Sequence, residues 1–196
     1  MQVQKEKKGR PEWDALRIWL NSEENDLIEG LVIVNQLINP DVQLSDVQEF
    51  IDKLVREIWL ELHDDLTGIE KLRILNHFLF EVHGFKGNVE RYHHLNNSCL
   101  DKVIELKTGN PLLISSIYLA IAKKLDIPLY GINLPQHFIL GYVDTSSPLL
   151  AISDKEQPEV LFFIDPFSGG NLFSLGEVQV FAQQLKVETK PEFFIP

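Results

Sequence analysis

The chain has 196 residues, 44% hydrophobic and 24% charged, with a formal net charge of −11. That length supports one domain with a sizeable core, and the acidity argues against nucleic acid, whose partners need a basic footprint. A single cysteine, Cys99, excludes an internal disulfide and fits a reducing, cytoplasmic setting.

The first ten residues, MQVQKEKKGR, hold four basic side chains and one acid, leaving 14 basic against 28 acidic side chains beyond them. Residues 1–12 read as a flexible basic end without the apolar stretch of a signal peptide. Residues 13–196 read as one domain, with a helical layer over 13–83 and a core over 84–196. "SEEN" at Ser22 marks a helix start, and DLIEGLVIVNQLIN is expected to run until Asn39-Pro40 stops it. "SDVQ" at Ser45 and "TGIE" at Thr67 have capping-box spacing. The first opens an amphipathic run with Val47, Phe50, Ile51, Leu54, Val55, Ile58 and Leu62 on one face. The second carries Leu72, Leu75, Phe78, Leu79 and Val82, with Gly84 as its stop.

GFKGNVERYHHLNNS reads as a loop, followed by a short helix over Ser98–Lys107 that Gly109 ends. Asn110 is then an N-cap with Pro111 at the first helical position, where a missing N–H costs nothing. The helix they open repeats Leu113, Ile114, Ile117, Ala120, Ile121 and Leu125 and is apolar nearly all round, as a helix in the middle of a fold is. Its apolar run, Leu112 to Ala122, falls well short of the roughly 20 residues a membrane span needs. After Pro128, LYGIN, HFILGYVD and VLFFID are rich in β-branched and aromatic residues, with TSSP and SDKEQP between the second and third. "SLGE" at Ser174 is a third capping box. Helices first, then a small antiparallel sheet, then one more helix make an α+β layout. There is no internal repeat, and "FSGG" lacks the lysine of a phosphate loop. The apolar PEFFIP either docks on the domain or leads into further chain.

A buried helix, a strand bearing His137 and a later strand ending in Asp165 follow in that order. Together with "LNHFLFEVHGFKGN", "NNSCLDKVIELKTGNPLLISSIYLAIAKKLDIPLYGINLPQHFIL" and "IDPFSGG", this resembles the transglutaminase-like, papain-related core, and within it the SirB1 N-terminal domain family. The resemblance runs from about Leu66 to Gly170 and implies a central helix on a small antiparallel sheet, with the N-terminal helices as an added layer. The family's Pro-Gly-His stands here as Pro135-Gln136-His137.

In such cores a Cys at the helix start sits in positive dipole potential, with a His as base and an Asp that orients it. Counted back from the Leu-Gly-Ile-Pro motif, here Leu125-Asp126-Ile127-Pro128, the nucleophile position falls on Pro111. The resemblance therefore implies the fold with a relic His137–Asp165 pair, which either orients a ligand or fixes the sheet. Cys99 could replace the thiol only if the preceding helix packs near the site. Ser115 lies one turn further along the helix than Pro111, and a bond back to a helix carbonyl is expected of it. Asn110, Pro111, Ser115, Gln136, Asn88, Tyr92 and Asn97 are candidate cleft residues, the asparagines serving equally to hold irregular backbone.

His93 and His94 are ligand types but adjacent, so in an extended segment they point apart, and exposed loop positions are expected. His63, Asp64 and Asp65 read as surface, and His77 and His83 as structural. No metal or cofactor is implied. The expected function is a non-catalytic binding module with a protein or peptide partner. The alternative is a cysteine or serine hydrolase or acyltransferase with a relocated nucleophile acting with His137 and Asp165.

Overall fold

Helices fill the first half of the chain, and the caps that start them differ from expectation in instructive ways. The computed structural model describes residues 11–23, 25–134, 137–143, 160–184 and 192–194, so Gln136 and the TSSP and SDKEQP segments lie outside the described residues. Helix α1 is Pro11–Leu20 and α2 is Leu27–Gln36. The cap of α2 is Asp26, not Ser22: its carboxylate accepts from the Glu29 amide, and α2 ends three residues before Asn39. Helix α3, Leu44–Trp59, starts at Gln43 without a side-chain cap, because the Ser45 hydroxyl donates to Asp46 instead. Helix α4, Gly68–Asn76, has the expected reciprocal box between Thr67 and Glu70. That bonding lowers the Glu70 pKa from its ordinary value.

Helix α4 continues into a π-helical segment, His77–Val82, closed by His83 N–H donating to the Phe78 carbonyl. The wider turn shifts the phase of the apolar face, so Leu79 is buried while Val82, expected on that face, is exposed. Gly84, at φ 70°, stops the run as expected. Strand β1, Lys86–Gly87, and β2, Thr108–Gly109, form a short parallel pair around the loop between them. The helix expected over Ser98–Lys107 splits into a 3-10 turn at Leu95–Ser98 and helix α5, Leu100–Leu106. Lys107 in the left-handed conformation ends α5, not Gly109. Its ammonium lies 4.1 Å from the Phe50 ring centre and 4.7 Å from that of Phe85, an attraction that favours keeping a half-buried cation there. Burial and then nearby Lys53 lower its pKa.

Helix α6, Pro111–Lys124, starts as expected, with the Asn110 side chain accepting from the Leu113 amide. Ten of its 14 residues are buried. Strands β3, Leu129–Leu134, β4, His137–Val143, and β5, Val160–Asp165, follow, then β6, Asn171–Phe173, helix α7, Leu175–Gln184, and β7, Glu192–Phe194. The Ser174–Glu177 box opens α7. The sheet is antiparallel in the order β6-β5-β4-β3-β7. Three residues of the apolar PEFFIP segment thus pair with β3.

One core cluster runs from Ile28 and Ile51 through Leu75, Ile117, Tyr118 and Ile121 to Leu140 and Ile164. Full burial of each such aliphatic side chain stabilises by about 1.5–3 kcal/mol. Ile132, Leu134, Ile139, Phe163 and Val178 form a second cluster. The sheet is therefore apolar on both faces, as a sheet between two layers must be. No helix among the described residues is long and apolar enough to cross a membrane.

Polar junctions set the seams between these layers. Asn35 and Asn39 donate to the two Asp101 oxygens at 3.0 and 2.9 Å, and Asn35 accepts from the Leu100 amide at 2.7 Å, locking α2 to α5. Burial pushes Asp101 up, but these amide bonds outweigh it and leave the carboxyl below its ordinary value. Asn76 accepts from the buried Tyr118 hydroxyl at 2.8 Å and donates to the Gly170 carbonyl at 2.9 Å. Burial pushes the Tyr118 hydroxyl pKa far up. Gly170 has φ 77°, and a Cβ there would strike the Asn76 amide.

Gly170→Ala should therefore cost more than about 2 kcal/mol, and Tyr118→Phe about 1 kcal/mol. Urea unfolding measures both, and a neutral Gly170→Ala would contradict the junction. The lowered Asp101 pKa contributes stability above the ordinary carboxylate value near 3.9 that is lost as pH falls through the folded-state value. Asp101→Asn should flatten that acid limb of the stability curve, read by thermal unfolding from pH 5 down to about 2.5.

Candidate functional site

At the start of α6 a cleft of about 480 Å³ opens. Asn110, Pro111 and Leu112 supply one side, Asn133, Leu134, His137 and Phe138 on the sheet another, and Tyr92, His93, His94 and Ser98 the third. The third side is irregular backbone, and asparagine holds it. Asn97 is 2% exposed. Its amide donates to the carbonyls of Arg91 at 2.7 Å and Tyr92 at 2.9 Å, and its oxygen accepts from the Asn88 amide at 2.9 Å. The Asn88 oxygen in turn accepts from the Arg91 amide. The Asn97 carbonyl accepts from the Asn110 amide, tying this loop to the cap of α6. Tyr92 also meets Phe167 edge-on at 5.8 Å, so the turn after β5 braces the loop from behind.

Among the candidates, Pro111, Asn110, Tyr92 and His137 line the cleft together. Asn88 and Asn97 act one layer back, positioning Tyr92. Cys99, Ser115 and Asp165 are not among the lining residues. Cys99 is buried at the start of α5, where its thiol donates to the Leu95 carbonyl. Burial, then the Asp101 charge, pushes its pKa up, the opposite of what activates a thiol. Ser115 is fully buried and donates across to the Phe138 carbonyl at 3.4 Å, not back to its own helix. Helix α6 packs on β4, which brings a strand carbonyl within reach of this hydroxyl.

Strand alternation bears on the pair. Phe138 and Leu140 join the core with α6, whereas Ile139 joins the second cluster. His137 therefore shares the face of Ile139, at the exposed end of β4. Continuing the Leu140–Ile164 register by one residue sets Asp165 beside Ile139 and diagonal to His137, a relation of about 7–8 Å in such sheets. The Asp165 carboxylate caps its own turn, accepting from the Phe167 and Ser168 amides and from the Ser168 hydroxyl at 2.6 Å.

His93, His94 and Ser98 were not expected in the cleft. His93 lies in a turn rather than an extended segment, which brings both adjacent rings to one cavity. The Asn96 amide donates to His94 Nδ1 at 3.2 Å, so the neutral ring carries its proton on Nε2. The Ser98 hydroxyl accepts from the Asn110 amide at 3.0 Å. The one sequence signal for these residues was their nearness to Asn88 and Asn97, whose long-range bonding no local pattern reveals. No group of three or more His, Cys, Asp or Glu among the described residues could hold a metal ion.

A family model described as the Transglutaminase-like superfamily matches residues 45–196. A UPF0162 protein of Xylella fastidiosa is 25% identical over 169 residues, 86% of this chain and 55% of its own length. F-box only protein 21 of Homo sapiens is 29% identical over 175 residues, 78% of this chain and 27% of its own. A UPF0162 protein of Vibrio cholerae is 30% identical over 116 residues, 59% of this chain and 43% of its own. The chain thus spans about half the length, or less, of these relatives. No solved structure matches.

Asn97→Ala removes three hydrogen bonds at a buried site and should cost about 2–3 kcal/mol. Amide hydrogen exchange should show lost protection at His94 and Asn97, whose amides bond within this loop, before the rest of the fold opens. Unchanged exchange there would refute its role as the brace.

Proposed function

The chain belongs to the transglutaminase-like superfamily, and on that premise we propose that it is a non-catalytic, protein- or peptide-binding module of the SirB1-like branch, with Pro111 at the lost nucleophile position. One observation carries this reading. Pro111 begins the central helix at the cleft, and proline offers neither a nucleophile nor an acid–base group. Two side chains that could compensate are turned elsewhere: the Cys99 thiol is buried with a raised pKa, and the Ser115 hydroxyl is bonded to a strand carbonyl. His137 and Asp165 are then a relic pair, His137 a polar wall of the cleft and Asp165 a cap for its turn. The division into an N-terminal end, a helical layer at 13–83 and a core at 84–196 belongs to the same proposal, except that the first helix begins at Pro11, two residues earlier than expected. So does the absence of a bound cofactor or metal. The interaction role agrees with the relatives, in which a stretch like this one is part of a longer chain.

The alternative, a hydrolase or acyltransferase with a relocated nucleophile, has one observation in its favour: the Ser98 hydroxyl lines the same cleft as His93, His94 and His137. Acyl transfer there would need a base in hydrogen-bond reach of that hydroxyl and donors aimed at the developing oxyanion.

A fluorophosphonate probe should leave Ser98 unlabelled, and iodoacetamide should modify Cys99 slowly at neutral pH, unaffected by His137→Ala. Pro111→Cys should fold and turn over thioesters no faster than the free thiol does. Robust turnover by that variant, or Ser98 labelling that His137→Ala abolishes, would overturn the non-catalytic reading.

A further inference from the structure

A second concavity, about 990 Å³, continues from the first and shares Leu112, Asn133 and Phe138 with it. Its floor is one stripe of α6. Leu112, Ser116, Leu119 and Lys123 all line it, at the i, i+4, i+7 and i+11 spacing of a single helix face. Most of α6 is committed to the core; along this stripe Ser116 is buried and Leu119 partly so, whereas Leu112 is 49% exposed. On one side stands β3, with Leu129 and Tyr130. On the other stand Leu27 and Trp19 from the N-terminal helices. The Trp19 wall is set in advance. Its indole donates to the Asp26 carbonyl at 2.9 Å, and its ring lies where a Cβ on Gly30 would be.

From Leu112 to Lys123 the stripe rises about 17 Å, or three helical turns. The strand beside it offers little backbone to a partner, because Gly131–Asn133 of β3 already pairs with β4 and β7. An extended peptide laid there would bury amide groups without partners. A helix brings its backbone bonds with it and needs only an apolar ridge to fill the groove.

Charge separates the possible partners. Lys123 and Asp126 are the charged residues among those lining the groove, so its floor is close to neutral. The whole chain carries −11, a field that repels a second copy and attracts a basic outer face.

Resting on the binding-module reading, we infer that this groove takes an amphipathic helix of a partner protein, about three turns long, its apolar stripe laid along Leu112–Lys123 and its outer face basic.

The test is a display library of amphipathic helical peptides, randomised on both faces and selected against the full chain, with selected peptides resynthesised carrying a fluorophore. We expect an apolar i, i+4, i+7 stripe with Lys or Arg opposite, and binding that weakens with added salt. Leu112→Glu, at an exposed position, should reduce affinity at least tenfold, and Trp19→Ala should do likewise. Gln48→Ala, at an exposed position of α3 outside both concavities, should leave it unchanged. The inference is overturned if no peptide is selected, or if the selected peptides are acidic or extended. Binding indifferent to both groove variants would also overturn it, as would concentration-dependent self-association that Leu112→Glu abolishes. None of these outcomes touches the non-catalytic reading, which fails separately if the chain proves to turn over thioesters.

Discussion

Everything in this fold is arranged around the burial of α6. A helix with ten of its 14 residues buried has no preferred outside, so its neighbours must be supplied on nearly every side: α2 and α3 from the helical layer, α5 from the segment just before it, and β3 and β4 from the sheet. The start of such a helix is fixed in space as firmly as its middle. Asn110 caps it, the Asn110 amide reaches Ser98, and the backbone of Asn110 bonds to Asn97. Whatever residue begins α6 is therefore presented to the cleft by the whole core. Here that residue is a proline, suited to opening a helix and silent in chemistry.

Apolar packing alone does not choose between neighbouring registers, since burial is non-directional. The directional choice falls to asparagine at three seams. Asn35 and Asn39 grip Asp101 between α2 and α5, Asn76 joins α4 to Tyr118 of α6 and to Gly170 after β5, and Asn88 with Asn97 braces the cleft loop. In each, both ends of an amide find partners, so the polar group stabilises rather than penalises its buried site. The cleft inherits its shape from these seams. Tyr92 and His93 have no regular structure of their own to hold them.

The sequence was a good guide where the signal was local. The Thr67 and Ser174 boxes, the Asn110–Pro111 start and the strands after Pro128 all rest on short-range chemistry and stand where expected. It misled where several residues could serve. Asp26 displaced Ser22 as a cap, Ser45 turned to its neighbour Asp46, and Lys107 took the left-handed position that a glycine two residues later seemed to own. The cleft was half legible. Pro111 and His137 could be placed by order along the chain, but strand phase sets His137 on the face of Ile139, and Asp165 spends its carboxylate on its own turn. The histidine pair entered the cleft through a turn that no periodicity announces. The groove along α6 was hidden for a different reason: Leu112 looks like any other core leucine until the surrounding elements leave it half exposed.

The same helix thus offers two surfaces with different demands. Chemistry at its start requires a nucleophile, a base and oxyanion donors held together within tenths of an ångström, and the replacement of one member disables the set. Docking along its flank requires only shape, an apolar stripe and compatible charge, and tolerates exchange among aliphatic residues. The core that holds α6 serves both equally, because it is built from the other faces of the helix. A fold in this position can lose its reaction without losing a reason to keep its packing, its capping asparagine or its polar seams. The chain shows a transglutaminase-like scaffold whose central helix begins with a proline at one cleft and lines a second concavity along its flank.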